Sequence, residues 1–359
     1  MKIWARMLCV ICLCILPCLC RAETPAEKKL TLNDAIETAL KNHPSIEEKS
    51  GLLSMAEART GKAWGSMYPQ LNVGSGISKI WPVNQDTSSS TSNAGLPEGS
   101  YIPTSISEDN KPYKQYAATA NLTQLIMDFG KTYAYVKANK LNTEAARLEL
   151  DNARDQVIFN VKQAYFSLLS AQRTRDVVVE AVAQFTKHLD YARARYEVGA
   201  KPRFDVTKAE VDLSNAKVDL IKAENSVRLA IIVLNNAIGL SGTDSYTVED
   251  DTSPGLTDRA FQDAERLAFE RRPDLLSLQK QKASAMESIR AAKMGHFPVL
   301  NGVASATYVG TEFPLDHGVT AGINLTIPIF SGFATSYQVA EAQANLKVAA
   351  AGERNLRQT

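Results

Sequence analysis

The residues of this chain that could do chemistry are few and scattered. Histidine is the commonest catalytic base and metal ligand, and the four histidines stand far apart, as His43, His188, His296 and His317. The acidic run Glu249-Asp250-Asp251 is typical of a solvated linker rather than of a general acid and base. The chain has no metal-ligand spacing, nucleophile elbow or phosphate-binding glycine loop. The sequence therefore predicts no enzyme, no metal site and no cofactor.

The N-terminus has the composition of a secretory signal over residues 1–22. Lys2 and Arg6 give a positive start, an apolar run follows, and Cys20-Arg21-Ala22 supplies a small-residue cleavage site. All five cysteines lie inside this segment, so we expect an exported mature chain without disulfides. A lipid on Cys20 is the alternative, which Leu19 disfavours because a small residue is expected before a lipidated cysteine.

The charge balance of the mature chain is close to neutral. Removing Lys2, Arg6 and Arg21 from the 40 basic residues leaves 37, against 39 acidic residues. Such a balance excludes a nucleic-acid partner, which needs a basic face. No apolar stretch after residue 22 approaches the roughly 20 residues of a membrane helix. A location within a membrane would therefore require strands.

The mature sequence contains an internal duplication. Two turn prolines recur at a constant offset of 229 residues, Pro44 with Pro273 and Pro69 with Pro298. A period this long indicates a duplicated domain rather than a short-repeat solenoid. We predict a first repeat over residues 23–255 and a second, incomplete repeat over residues 256–359.

Heptad seams run along two adjacent segments. In the second, apolar residues alternate in steps of three and four, which is the coiled-coil signature. The seam consists of Val206, Ala209, Leu213, Ala216, Leu220, Ala223, Val227, Ala230, Leu234 and Ala237. Every second member is alanine, which lets two helices approach closely. The upstream segment keeps the rhythm from Val157 to Tyr196, with Arg175 as a polar exception.

These seams predict a long helical hairpin with helices over 131–197 and 204–239. The two segments meet at Val198-Gly199-Ala200-Lys201-Pro202, where glycine tolerates a left-handed turn and proline restarts a helix. At 1.5 Å per residue the outgoing arm is on the order of 100 Å long.

Four further segments alternate apolar and polar residues like membrane strands. They are Gln70–Ile80, Gln115–Ile126, Leu300–Val309 and Gly318–Ile329. Between the first two lies Pro82–Pro112, whose Ser, Thr, Asn, Gly and Pro content predicts an exposed surface loop. Four strands cannot close a barrel, because open edges are not tolerated in lipid. Three copies would supply twelve strands.

The order and spacing of these features resemble the TolC-type outer-membrane efflux proteins, over nearly the whole mature chain. The resemblance rests on the duplication and on the following motifs: Leu30-Thr31-Leu32 at the first helix, Tyr68-Pro69-Gln70-Leu71 at the first strand, Asn324 to Gly332, and Tyr196-Glu197-Val198-Gly199 followed by Asp205-Val206.

The resemblance implies an α+β membrane protein with long antiparallel coiled-coil hairpins. Four strands per chain would contribute to a shared trimeric, twelve-stranded outer-membrane β-barrel, with the helices in the periplasm. Such a homotrimer would be a passive exit duct for small molecules or proteins. Its partners would be outer-membrane lipid, a periplasmic adaptor and an inner-membrane pump.

The resemblance also implies roles at the tip of the hairpin. The adaptor-docking residues would be Val198, Gly199, Ala200 and Lys201. Asp205 would belong to a polar network that closes the entrance. Ala200 and Lys201 are less typical of the family, and Phe204 stands where a small polar residue is common.

The second repeat is expected to lack a tip. Only 27 residues follow Gly332, whereas 68 separate Gly130 from Val198. We therefore expect an unpaired seam of Val339, Ala342, Leu346 and Ala349. The alternative function is a soluble periplasmic coiled-coil adaptor or scaffold, which would explain the hairpin but not the recurring strands. The sequence does not indicate the cargo.

Overall fold

The structure is a computed structural model, and it describes residues 28–81, 112–240, 246–249 and 260–358. The predicted signal segment lies outside the described residues, and so do residues 82–111 of the predicted surface loop. The predictions made for those two segments therefore stay predictions.

The order of elements repeats, as the duplication predicts. The first set is β1 (Lys28–Leu30), α1 (Leu32–Asn42), α2 (Pro44–Gly65), β2 (Gln70–Ile80), β3 (Tyr113–Met127), α3 (Lys131–Glu197) and α4 (Arg203–Ile238). The second is β4 (Tyr246–Val248), α5 (Phe261–Arg271), α6 (Pro273–Lys293), β5 (Val299–Gly310), β6 (Asp316–Thr326) and α7 (Ala334–Gln358). A 3₁₀ turn, Met294–His296, joins α6 to β5. Both α2 and α6 begin on the predicted prolines.

The chain divides into two compact units. The first comprises Met1–Asn42 and Ile158–Pro254, and the second His43–Val157 and Gly255–Thr359. The first unit lies entirely before the predicted second repeat, whereas the second unit draws on both repeats. The 67-residue helix α3 contributes residues to both units.

The first unit is built on the antiparallel pairing of α3 with α4. None of the ten predicted seam residues of α4 is exposed, and six of them are buried: Ala209, Leu213, Ala216, Ala223, Val227 and Leu234. On α3 the prediction holds less completely, because Phe185 and Tyr196 are exposed. The helix α4 ends at Gly239, whose φ of +81° only glycine adopts readily.

A small parallel pair of strands, β1 and β4, completes the first unit. It is held to α3 by Tyr165, which is fully buried. The Tyr165 hydroxyl lies 2.6 Å from the carbonyl oxygen of Glu249 and 3.1 Å from that of Leu30. A buried hydroxyl needs such partners, since leaving it unpaired would cost its full desolvation energy.

The second unit contains a four-stranded antiparallel sheet in the order β2-β3-β5-β6. The four predicted strands are confirmed within three residues at each end, and β2 matches its predicted bounds. Each strand is connected to a helix at the same end of the sheet, and the described β5–β6 hairpin connection lies at the opposite end.

Helices α2, α6, α7 and the first part of α3 belong to the same unit as the sheet, and polar contacts link them. Lys280 Nζ is 2.7 Å from a Glu144 carboxylate oxygen, and the Ser284 hydroxyl donates to the carbonyl of Ala138 at 2.9 Å. The Thr60 and Thr143 hydroxyls are 2.9 Å apart. These contacts set the register of α3 against its neighbours.

The expectation of an unpaired α7 seam is wrong. The helix packs along α6, and Val339, Ala342, Leu346 and Ala349 are all half-buried. The same stripe continues to Glu353, which is buried and binds Lys282 of α6 at 2.9 Å. The short chain after Gly332 leaves no room for a second hairpin, but α6 covers the seam in its place.

No helix in the described part of the chain combines the length and apolarity needed to cross a membrane.

Candidate functional site

The tip of the helical hairpin is a hydrogen-bonded turn centred on Gly199. The Ala200 N–H donates to the carbonyl of Arg195, and the Gly199 N–H donates to that of Tyr196, both at 2.9 Å. This pair of bonds is the Schellman arrangement that terminates a helix. Gly199 has a φ of +73°, and a Cβ there would meet nothing within 4 Å. The turn therefore needs glycine for its backbone conformation and not for lack of space.

The predicted entrance residue Asp205 contacts a predicted docking residue. The Lys201 ammonium lies 2.9 Å from the Asp205 carboxylate, four residues along the chain. Asp205 also lies in the first turn of α4, where the helix dipole favours a negative charge. The family resemblance implied separate roles for these two residues, whereas the structure pairs them across a spacing of four.

Two apolar side chains project from the tip. Val198 is 77 % exposed and Phe204 is 73 % exposed. Behind them the hairpin is closed by a core of Leu189, Ala192, Ala209 and Leu213. An ion pair of 2.8 Å between Arg193 and Glu210 joins the two helices near the tip. The tip thus presents an aliphatic and an aromatic group on a well-supported turn.

The sheet of the second unit has one apolar face and one polar face. The cross-strand register places Leu71, Val73, Ile77, Val319, Ile323 and Leu325 on the same face. These six side chains are between 56 % and 80 % exposed. On the opposite face, Gln115 and Thr119 are buried. This arrangement is the reverse of a water-soluble sheet, in which the apolar face is buried.

The polar face carries uncharged hydrogen-bonding side chains. A typical cross-strand row is Asn72, Asn121, Ser305 and Thr320, in which the Ser305 hydroxyl donates to the Thr320 hydroxyl at 3.3 Å. Among the described residues of this face, the only charged side chain is Asp316, at the end of β6 farthest from the helices. Such a face can be wetted without selecting strongly for charge.

Both outer strands of the sheet have an unpaired edge. β2 and β6 are each 11 residues long, and each is bonded to one neighbour in the described chain. In water a long open edge is a site for pairing with another chain, and in lipid it is not tolerated. The sheet is therefore incomplete as a single copy.

Aromatic pairs mark both ends of the sheet. At the end connected to the helices, Phe129 lies 5.5 Å from Phe297 and Phe330 lies 5.4 Å from Phe333. At the opposite end, Tyr116 lies 5.3 Å from Phe313, and the Tyr308 ring stacks on His317 at 5.8 Å. Aromatic rings at two levels separated by an apolar band are typical of membrane strands.

Two carboxylates of the second unit, Glu353 and Asp274, are held in ion pairs that stabilise its helices. A hydrogen bond from Lys282, supported by Arg357, holds the pKa of the Glu353 carboxyl below its ordinary value. Arg272 does the same to the pKa of Asp274 at the start of α6. Neither carboxylate belongs to a cluster of potential metal ligands, and no such cluster occurs within the described ranges.

The sequence of this chain matches one protein family along most of its length. The family described as outer membrane efflux protein matches residues 35–240 and 266–359, which together make up most of the chain. The chain belongs to the outer membrane efflux protein family.

Three relatives of this efflux-family protein illustrate the kinship. The outer membrane efflux protein BepC of Brucella suis is 24 % identical over 260 residues, covering 69 % of this chain and 55 % of BepC. Protein CyaE of Bordetella pertussis is 22 % identical over 90 % of this chain and 65 % of CyaE. The outer membrane protein TolC of Escherichia coli is 24 % identical over 64 % of this chain and 49 % of TolC. The chain thus spans between about half and two-thirds of these relatives' lengths.

Solved structures show the same fold and confirm the predicted fold class. The outer membrane protein VceC of Vibrio cholerae superposes with a TM-score of 0.74 at 20 % identity, covering 91 % of this chain and 75 % of VceC. The CmeC outer membrane channel of Campylobacter jejuni gives a TM-score of 0.75 at 18 % identity, over 90 % of this chain and 67 % of CmeC.

Proposed function

We propose that this protein is a passive exit duct in the outer membrane, assembled as a homotrimer. The observation that carries the proposal is the reversed sheet, with large aliphatic side chains exposed on one face and uncharged polar groups on the other. Exposed aliphatic groups are favourable against lipid, and the polar face suits a water-filled passage for small molecules or proteins.

Three copies satisfy the open edges of the sheet. If β6 of one protomer pairs with β2 of the next, twelve strands close without an edge, in agreement with the even strand numbers of single-chain barrels. A strand of 11 residues is about 36 Å long at roughly 3.3 Å per residue, which is enough to cross a tilted path through the hydrocarbon core.

The tip around Gly199 serves as the docking surface for a periplasmic adaptor, through which an inner-membrane pump delivers cargo. Val198, Gly199, Ala200 and Lys201 form the contact. Asp205 belongs to the network that closes the entrance. The exposure of Val198 and the firmness of the Gly199 turn support this role.

A soluble periplasmic adaptor or scaffold is the rival function. It accounts for the α3–α4 hairpin equally well, but it would leave a broad apolar sheet face in water. The adaptor or scaffold hypothesis therefore does not explain the exposed apolar face of the sheet, whereas the outer-membrane duct does.

Thiol labelling of intact cells tests the topology. Residues 23–359 contain no cysteine, so Glu312→Cys in the exposed β5–β6 connection should react with a membrane-impermeant maleimide on intact cells. The matched control, Lys217→Cys on the exposed side of α4, should react only after the outer membrane is permeabilised. Equal labelling of both sites in intact cells, or of neither, would contradict the orientation.

Crosslinking to the adaptor tests the docking surface. Gly199→Asp adds a charge to the turn and should abolish the crosslink while trimers still form. Gly199→Asn, which tolerates a left-handed backbone better than most residues, should keep it. A trimeric Gly199→Asp protein that crosslinks normally would remove the docking role from the tip.

A further inference from the structure

Two lysines face each other directly at the far end of the apolar sheet face. In the register of β2 and β3, Lys79 is the cross-strand partner of Lys114. Both side chains are exposed. Like charges directly opposite each other destabilise an antiparallel pair, so an anion bound between them would stabilise this position.

No carboxylate in the described part of the chain compensates these two charges. The one recorded interaction is between the Lys79 ammonium and the Trp81 ring, at 5.3 Å from the ring centroid. By contrast, three helix lysines of the same unit, Lys137, Lys280 and Lys282, lie 2.6–2.9 Å from glutamate oxygens. Within the described sheet, Lys79 and Lys114 are distinguished by being two like charges in direct cross-strand register.

The chemistry of the apolar face changes in steps toward the lysines. The rows that contain Leu71 and Val73 are aliphatic across the whole sheet. The next two rows introduce Tyr308 beside His317 and then Tyr116, and the last row is Lys79 and Lys114. Aliphatic, aromatic and then basic is the order that a lipid-facing surface meets from the hydrocarbon core to the headgroups.

We propose that Lys79 and Lys114 bind the phosphate of an anionic lipid headgroup in the outer leaflet of the membrane. This inference rests on the proposed function, because it needs the sheet to cross the membrane with its helix-free end outward. A phosphate placed between two ammonium groups removes their repulsion and accepts hydrogen bonds from both. The lysine stems lie against the aliphatic and aromatic surface while their charged ends reach the headgroup level.

Lipid titration of the purified trimer tests the site. Diphosphoryl lipid A is added to the detergent-solubilised protein, and lipid occupancy is measured by native mass spectrometry. If each lysine contributes about fivefold to the affinity, Lys79→Gln with Lys114→Gln should weaken binding roughly 25-fold. The control, Lys162→Gln with Lys217→Gln on exposed helix faces, should bind like the wild type. Lys79→Arg with Lys114→Arg keeps both charges and should also bind.

Two competition experiments identify whether the bound phosphate belongs to a lipid or is a free anion. At the concentration at which lipid A saturates the protein, neither phosphate-free lipid nor inorganic phosphate should displace lipid A. Effective competition by inorganic phosphate would overturn the lipid assignment in favour of a free-anion site. Equal affinity of the glutamine variant and the wild type, both trimeric and inserted, would overturn the lysine site alone. A wild-type protein that never enters the outer membrane would overturn both this inference and the proposed function.

Discussion

The helical hairpin and the sheet follow opposite rules of burial. In the α3–α4 hairpin the apolar seam is turned inward, and lysines such as Lys217 are exposed. In the sheet, Val319 and Ile323 are exposed while Gln115 and Thr119 are hidden. One chain thus carries an apolar seam buried between two helices and an apolar sheet face that is exposed. An alternating sequence pattern therefore shows which residues share a face, but the solvent, water or lipid, determines whether the apolar face is buried or exposed.

A charge on the apolar sheet face should have the largest effect. Ile323→Arg places a guanidinium among the lipid-facing side chains, which costs about 2–4 kcal/mol near the membrane midplane. We expect far less trimer in the outer-membrane fraction and a lower melting temperature in lipid. The matched control is Asn324→Arg, one residue along on the polar face, which should be tolerated. Equal damage from both substitutions would mean that the two faces do not meet different solvents.

Bulk in the hairpin seam should have the next largest effect. Ala216 and Ala223 are buried at the close contact of α4 with α3. Enlarging either to leucine overpacks the seam, at about 1–3 kcal/mol per site. Lys217→Leu adds a similar side chain on the exposed face and should change stability by less than about 0.5 kcal/mol. Thermal unfolding of the detergent-solubilised protein measures the stability change of the seam variants and of Lys217→Leu. Equal stability of the seam variants and Lys217→Leu would refute the heptad register.

The sequence predicted most of this fold because its signals are local and periodic. The bounds of α3 and β2, the turn at Gly199 and the two-faced alternation of β6 all follow from spacing and from the backbone limits of glycine and proline. What it missed depends on contacts between distant segments. The packing of α7 against α6 and the cross-strand pairing of Lys79 with Lys114 become visible only when the helices and strands are paired in the structure.

The candidate site was predicted less completely than the fold. The roles given to Val198 and Asp205 came from resemblance, and the structure adds the ion pair of Asp205 with Lys201 and the strong exposure of Phe204. Side-chain exposure at a turn is not visible in a heptad pattern, because the pattern ends where the helix ends.

The smallest expected effect is a pH dependence at the α6–α7 contact. Hydrogen bonding by Lys282 lowers the pKa of the Glu353 carboxyl in the folded protein. Its stabilising contribution is therefore fully present above the pKa of an unfolded glutamate, about 4.3, and is lost as the pH falls through the lower folded value. Glu353→Gln removes this titration, so the variant should be less stable than the wild type at pH 7.

The difference in melting temperature between the two proteins should shrink as the pH is lowered from 7 toward 3. Taking a difference cancels the similar contribution of Asp274, whose pKa Arg272 lowers at the start of α6. The effect should be smaller than overpacking of the seam, because Lys282 is more than a third exposed and water screens the pair. A melting difference that stays constant across this range would show that Glu353 stabilises the α6–α7 contact through packing and not through its charge.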